Sequence, residues 1–240
     1  MLNVAQKKMP LVRLQKYLSQ AGYCSRRQGE VHITSGHVTV NGETVTQLGV
    51  RVNPASDRIA VRGQIITTRS ERVYIALNKP VDYISSCKHA NARIVLDLID
   101  IEERVYPVGR LDKDSQGLLL LTDDGALHQR LSHPSYDHEK EYEVTVARPI
   151  SNGALRKMAA GLLLNGVKTR PAKIKRTASQ QFRITLQEGR NRQIRHMVSK
   201  VGGHVIRLKR IRIANLKLGN LKEGHWRFLT AAEKMALLKA

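Results

Sequence analysis

Two carboxylates, Asp112 and Asp114, lie two residues apart in the polar part of Val108–Gly125, directly before the apolar run Leu118–Leu121. A polar loop leaning on a buried strand holds its side chains on a rigid support. The pair could bind a metal, act as general acid and base, terminate a turn, or supply one nucleophile and one structural helper. For an isolated aspartate, the turn is the default. A magnesium site needs more oxygen ligands than two carboxylates, and no further acidic cluster with ligand spacing occurs, so no metal is expected. The nine histidines form no H-E-x-x-H or comparable cluster. Cys24 and Cys87 are too few and too widely spaced for a zinc motif or a disulfide framework. No P-loop glycine pattern is present, so no nucleotide cofactor is expected.

The elements that would position this chemistry belong to a strongly basic chain. Lys and Arg number 41 against 20 acids, a net charge of +21 over 240 residues, which suits a polyanionic partner. Apolar runs are only a few residues long and no signal-peptide segment follows the polar start, so a cytoplasmic protein without a membrane partner is expected. Aromatic content is 4%, which disfavours a binding sheet built on base stacking and leaves charge and shape to dominate.

After a tail at 1–10, helical spacing over Leu11–Ala21 packs Leu14, Tyr17 and Leu18 and turns Arg13 and Lys16 outward. Ser25 and Gln28 form a capping box for a second helix that Gly36 ends, with Arg26 and Arg27 in its first turn. Cations there oppose the helix dipole; a bound phosphate would compensate. His37–Val45 alternates as a strand pair about an Asn41-Gly42 turn. Residues 1–66 carry nine cations and three acids, net +6. In element order, and in Arg13-Leu14-Gln15-Lys16-Tyr17-Leu18, Cys24-Ser25-Arg26-Arg27 and Val38-Thr39-Val40-Asn41-Gly42, the stretch 12–66 resembles the S4 RNA-binding domain. The resemblance implies that 11–66 grips structured RNA through its paired helices. The polar stretch 67–72 reads as a linker, and 73–240 as a second domain. There, strand-like segments (Val73–Leu77, Glu141–Val146, Phe182–Leu186) alternate with helical ones (Asp124–Leu131, Gly153–Ala160), which predicts an α+β fold.

In that second domain, Gly109-Arg110-Leu111-Asp112 is followed by Ser115-Gln116-Gly117-Leu118-Leu119 and Thr122-Asp123-Asp124-Gly125. Further on stand His138-Glu139-Lys140-Glu141-Tyr142 and the run from Glu188 to Met197. Together with Ala76-Leu77-Asn78-Lys79-Pro80, these segments resemble, in order, the motifs of the RsuA/RluA-type ribosomal RNA pseudouridine synthases with an N-terminal S4 domain. The match is closest to the RluF branch, whose members modify large-subunit RNA. It covers nearly the whole chain, and several short motifs in register are far more specific than one.

That resemblance implies a mixed or antiparallel sheet and a cofactor-free isomerisation in which the ribose C1′ bond moves from uracil N1 to C5. Asp112 matches the family's nucleophile. Attack at the sugar with a glycal intermediate is the implied route, with addition at base C6 as the alternative. Arg195 matches the basic partner expected to hold Asp112 charged and oriented, beside the pocket residues Leu111 and Ile194. The alternative for Arg195 is a phosphate contact. Tyr142 matches the tyrosine that stacks on the target base. Arg110 matches the residue that fills the space left when the uridine is extruded, a task suited to a planar guanidinium. Residues 170–213 hold thirteen cations and one acid, net +12. They are read as an RNA-facing surface that includes Arg190, Arg192, Arg207, Lys209, Arg210 and Arg212. A monomer acting on a stem-loop of large-subunit ribosomal RNA is expected. The stretch Ser132-His133-Pro134-Ser135 is shared with sister branches acting on other uridines.

Overall fold

The computed structural model describes residues 10–69, 71–132 and 137–239. Residues 1–9 of the expected tail at 1–10 and the stretch His133–Ser135 lie outside them. The chain divides into two compact units, residues 1–72 with 102–104, and residues 73–101 with 105–240. Arg72, in the stretch read as a linker, donates to the Gln20 carbonyl at 2.8 Å within the first unit.

The first unit runs β1 (Val12–Arg13), α1 (Leu14–Gln20), α2 (Arg26–Thr34), β2 (Val38–Val40), β3 (Glu43–Val45), β4 (Arg51–Val52), β5 (Ile59–Val61) and β6 (Gln64–Ile65). The first helix is shorter than its spacing predicts. Val12 and Arg13 pair instead with Val52 and Arg51, which holds the chain extended up to Leu14. The capping box of α2 forms as read: Ser25 Oγ accepts from Gln28 N at 3.2 Å, and Gln28 Oε1 accepts from Ser25 N at 3.1 Å. Asn41 (φ 54°) and Gly42 (φ 93°) make the β2–β3 turn in the left-handed geometry that a two-residue hairpin requires. Leu14, Tyr17, Leu18, Ile33, Val38, Val52 and Ile59 close one small core.

The second unit runs β7 (Tyr74–Lys79), a 3-10 turn (Val95–Leu98), β8 (Tyr106–Val108), β9 (Gln116–Thr122), α3 (Gly125–Ser132), β10 (Lys140–Val146), α4 (Asn152–Ala160), β11 (Leu163–Leu164), β12 (Val167–Lys168), β13 (Lys173–Ala178), β14 (Gln181–Leu186), α5 (Gln193–Lys200), β15 (Val205–Ile213), β16 (Leu216–Lys217), β17 (Trp226–Phe228) and α6 (Ala231–Lys239). Its main sheet has the order β13-β14-β10-β15-β9-β7-β17, with β16 on β15 and β8 on β9. Strand β9 is buried on both faces. Leu118 and Leu120 pack with Leu127, Leu131 and Leu237 of α3 and α6, while Leu119 and Leu121 pack with Val95 and Val105 on the other face. Each such leucine stabilises the fold by roughly 1.5–3 kcal/mol. A third cluster joins β10, β14 and β15 to α4 and α5 through Val144, Phe182, Leu208, Met158 and Met197.

Among the described residues, every strand pairing in this sheet is antiparallel except one. Strands β15 and β9 run parallel over just Lys209↔Gln116 and Arg210↔Gly117. This short seam joins two antiparallel half-sheets. Gly117 makes it possible: its φ is +104°, and a Cβ there would stand 2.3 Å from the Arg210 carbonyl oxygen. No helix among the described residues is long and apolar enough to cross a membrane.

Candidate active site

The loop from Gly109 to Ser115 links β8 to β9 and is pinned largely through its backbone. Ser85 Oγ donates to the Leu111 carbonyl at 3.0 Å and accepts from the Leu111 N–H at 3.1 Å. The Asp82 N–H donates to the Lys113 carbonyl at 2.8 Å, and Ser115 N to the Asp112 carbonyl at 3.0 Å. Three cationic side chains reach three further carbonyls of the loop. Arg195 Nη2 reaches Asp114 O at 2.7 Å, Lys79 Nζ reaches Ser115 O at 2.7 Å, and Arg210 Nη1 lies 3.5 Å from Arg110 O. Lys79 is fully buried at the end of β7 and also donates to Pro80 O at 2.8 Å. Burial pushes its ammonium down to about 8, although the charges of Asp112, Asp114 and Asp82 work in the opposite direction.

With the loop fixed, Leu111 is buried and Arg110 is exposed, while the Asp112 side chain keeps 35% of its exposure. The expected Arg195–Asp112 pair is not formed. Arg195 turns to Asp114: its Nε lies 3.3 Å from Asp114 Oδ2, an ion pair without hydrogen-bond geometry, and its Nη1 donates to Val205 O at 3.2 Å. Arg192 grips Asp114 with two hydrogen bonds of 3.1 and 2.8 Å and comes within 4.0 Å of Asp112 Oδ2. Among the described residues Arg192 is thus the cation that comes within ion-pair distance of Asp112, and it is held in a left-handed conformation (φ 49°) at the start of α5. Burial pushes the Asp114 carboxyl up, but the Arg192 hydrogen bonds and the Arg195 and Arg192 charges outweigh it and hold the group below the usual carboxylate range. Of the two loop aspartates, Asp114 is the tied helper and Asp112 the freer carboxylate.

A cavity of about 550 Å³ opens beside Asp112. Its walls bring together the segments around Arg110, Tyr142 and Ile194, and it is bordered by Leu186, Ile194 and Leu208 of one core cluster and Val108, Leu131 and Ile213 of another. Tyr142 stands opposite Arg210 across the β10–β15 ladder, next to an irregularity where Glu141 pairs with Arg212 and Ile211 is left over. Such a bulge re-aims side chains beside a site.

The basic segment 170–213 is not simply a surface. Arg210 is only 2% exposed; Arg212 is tied to Glu141 at 3.0 Å and Glu139 at 2.9 Å. Those acids precede the segment in sequence, so its net charge overstated the free cations. Arg190 is also committed internally, donating to Val167 O at 3.1 Å and Lys168 O at 2.8 Å and pairing with Glu188. In the first unit, Arg13, Lys16, Arg26 and Arg27 are exposed, and Ser25 is the helix cap. Sequence reasoning gave no place in the pocket to Lys140 or Arg210, nor beneath the Asp112 loop to Lys79. A lysine ending an otherwise apolar strand at Asn78-Lys79-Pro80 was the one available signal.

The next two acids in the chain, Asp123 and Asp124, have structural tasks. Asp123 Oδ1 accepts from Val73 N at 2.8 Å. Asp124 Oδ1 accepts from Ala126 N and Leu127 N at 2.9 and 3.1 Å, capping α3. Among the described residues no group of three or more His, Cys, Asp or Glu is placed to hold a metal ion.

Residues 73–200, which carry this loop and most of the cavity wall, match the RNA pseudouridylate synthase family, and residues 12–59 match the S4 domain. The chain belongs to the RNA pseudouridylate synthases, isomerases that convert uridine to pseudouridine, and combines an N-terminal S4 domain with a mixed-sheet catalytic domain. It is 44% identical to the dual-specificity RNA pseudouridine synthase RluF of Escherichia coli strain K12 over 230 residues, 95% of this chain and 79% of that protein. It is 43% identical to the ribosomal large subunit pseudouridine synthase B of Bacillus subtilis strain 168 over 229 residues, 92% of this chain and 93% of that one. A crystal structure of a pseudouridylate synthase superposes with a TM-score of 0.69 at 32% identity, covering 94% and 99% of the two chains.

Proposed function

We propose that this protein isomerises a uridine of large-subunit ribosomal RNA, with Asp112 as the nucleophile and without a cofactor. The observation that carries the reading is one cavity bordered by the Asp112 loop, by Tyr142 and by Ile194, three segments brought together from across the second unit. The target nucleotide enters flipped out of its stack, at a cost of a few kcal/mol. Arg110, exposed at the rim, fills the vacated space; Tyr142 stacks on the uracil and Leu111 and Ile194 wall it. Arg192 steadies the charge of Asp112, while Arg195 acts one step back by fixing Asp114. The S4-like region 11–66, joined through 67–72 to the catalytic region 73–240, grips an RNA stem with Arg13, Lys16, Arg26 and Arg27 around the Ser25 cap. These contacts supply affinity and position, not sequence. The large-subunit target is supported by the function named for the Bacillus subtilis relative.

The test is carbodiimide-stopped primer extension on large-subunit RNA, naked or in assembly intermediates, incubated with wild type or Asp112→Asn without metal or nucleotide. A discrete stop with wild type alone supports the reading and identifies the nucleotide. A stop confined to small-subunit or non-ribosomal RNA overturns the substrate; a stop that survives Asp112→Asn overturns the nucleophile.

A further inference from the structure

A buried guanidinium without a carboxylate partner is costly, because desolvation is not offset by an opposite charge. Arg210 is such a group. It is 2% exposed and forms no ion pair among the described residues. Its Nε donates to Leu118 O at 2.7 Å, its Nη1 makes only the long 3.5 Å contact to Arg110 O, and its Nη2 has no hydrogen-bond partner. Arg210 lines the cavity beside Asp112. So does Lys140, which is half-buried, also without an ion pair, and makes only a 3.5 Å contact to the His138 carbonyl. Burial first, then the charge of Arg210, pushes the Lys140 ammonium below the ordinary lysine range. Two neighbouring, unneutralised cations on an apolar wall are arranged for something that arrives with the substrate.

Depth decides what that is. A phosphate keeps much of its hydration and is met at the rim, where Arg110 and Arg192 are exposed. The flat, mostly apolar body of a base can go deeper, between Leu186, Ile194 and Leu208, and present carbonyl oxygens there. We propose that Arg210 and Lys140 form the polar end of the base slot, donating hydrogen bonds to the uracil carbonyl oxygens and stabilising the charge that the ring acquires in the reaction. The inference rests on the reading above that this cavity receives the target uridine. When the C1′–N1 bond breaks, its electron pair passes to the uracil, whose negative charge spreads onto O2 and O4. The ring turns, C5 bonds to C1′, the C5 proton leaves and N1 takes up a proton, so nothing else is consumed. Donors preorganised in a water-poor wall act most strongly when that charge is greatest. The 3.5 Å contact of Nη1 lies at the limit of a hydrogen bond, so the edge of the guanidinium can turn to a better acceptor.

The experiment measures single-turnover loss of the target nucleoside from two RNAs, one with uridine and one with 5-fluorouridine at the target. Fluorine makes uracil a better leaving group and lessens its need for stabilisation. Wild type, Asp112→Asn, Arg210→Lys and Lys140→Met are compared at saturating protein. Arg210→Lys is expected to slow loss of the target nucleoside from the uridine RNA on the order of 10²-fold and Lys140→Met on the order of 10-fold, with both defects several-fold smaller on the fluorinated RNA. Lys140→Met, on the cavity wall, carries the test if Arg210→Lys fails to fold. Equal defects on both RNAs mean that the side chains only support the fold and overturn the inference. Unchanged rate constants with weakened, less salt-sensitive binding assign the pair to a phosphate and overturn it too. If wild type is inactive on both RNAs, the functional reading itself fails; if wild type is active and Asp112→Asn is not, the rates of the other two variants bear on Arg210 and Lys140 alone.

Discussion

Substituting Gly117 by alanine puts the seam of the sheet under direct test. The new Cβ would lie 2.3 Å from Arg210 O, 2.6 Å from Arg210 N and 3.0 Å from Arg210 C, all backbone atoms that no rotamer change can move. Restoring ordinary contact requires β15 to retreat by roughly 1 Å. With φ at +104° the alanine is strained as well. Strain of about 1–3 kcal/mol and overpacking of about 1–3 kcal/mol sum to roughly 2–6 kcal/mol. The parallel bridge has only two residue pairs to absorb the retreat. One side of it carries the Asp112 loop, the other Tyr142 and Arg210, so a shift of roughly 1 Å is expected to cut turnover about 10²-fold even where the protein folds. Urea unfolding of the second unit should show a midpoint lowered by roughly 1 M or more. Single-turnover pseudouridine formation on folded protein reads the second effect. Gly153→Ala is the control: its Cβ meets nothing nearer than 3.9 Å in α4, and it should be neutral or stabilise by about 0.5–1 kcal/mol. A Gly117→Ala protein with wild-type midpoint and rate would refute the reasoning.

Lys79 gives a pH signature. Its folded pKa of about 8 lies below the ordinary 10.5, so between these values the folded state binds fewer protons than the unfolded one and stability rises with pH. Turnover should fall as pH rises through about 8, where the folded-state ammonium near Asp112 and Asp114 is neutralised. Lys79→Arg, permanently charged, should lose that alkaline limb in a pH–rate profile, and an identical limb in both proteins would count against the assignment. Glu233, held to about 2 by a two-pronged Arg227 pair and by Thr230, contributes stability above its ordinary 4.5 that is lost as pH falls toward 2. Partial exposure limits this to on the order of 1 kcal/mol, and Glu233→Gln should flatten acid unfolding in that window. In the first unit, Arg26→Ala and Arg27→Ala should each weaken RNA binding and lower the slope of log K against log salt by about 0.7–0.9, without lowering the melting temperature. An unchanged slope would place RNA elsewhere.

Local features were readable because their causes are local. The α2 cap needs only Ser25 and Gln28, the hairpin only Asn41-Gly42, and β9 only its leucine run. The basic strand β15 was not. Its inward residues Val205, Leu208, Arg210 and Ile213 fall at spacings of three, two and three because two register shifts interrupt the alternation. A strand without a period of two reads as a charge run. Similarly, the segment order in sequence pointed to a site around Asp112 but not to which cation meets which carboxylate. Arg192 and Asp114 are brought together over 78 residues by the packing of α5, and only the fold decides that Arg195 takes the loop carbonyl instead.

The Asp112 loop is anchored through what every residue shares, its carbonyl and amide groups, by partners outside the loop: Ser85, Asp82, Lys79, Arg195 and Arg210. The exposed side chain of Lys113 takes no part in that anchoring, so it can vary without moving the Asp112 carboxylate. In a lineage exploring new RNAs, mutation can rewrite what the rim recognises while the reaction is inherited intact, so duplicated copies can diverge in target without passing through an inactive ancestor.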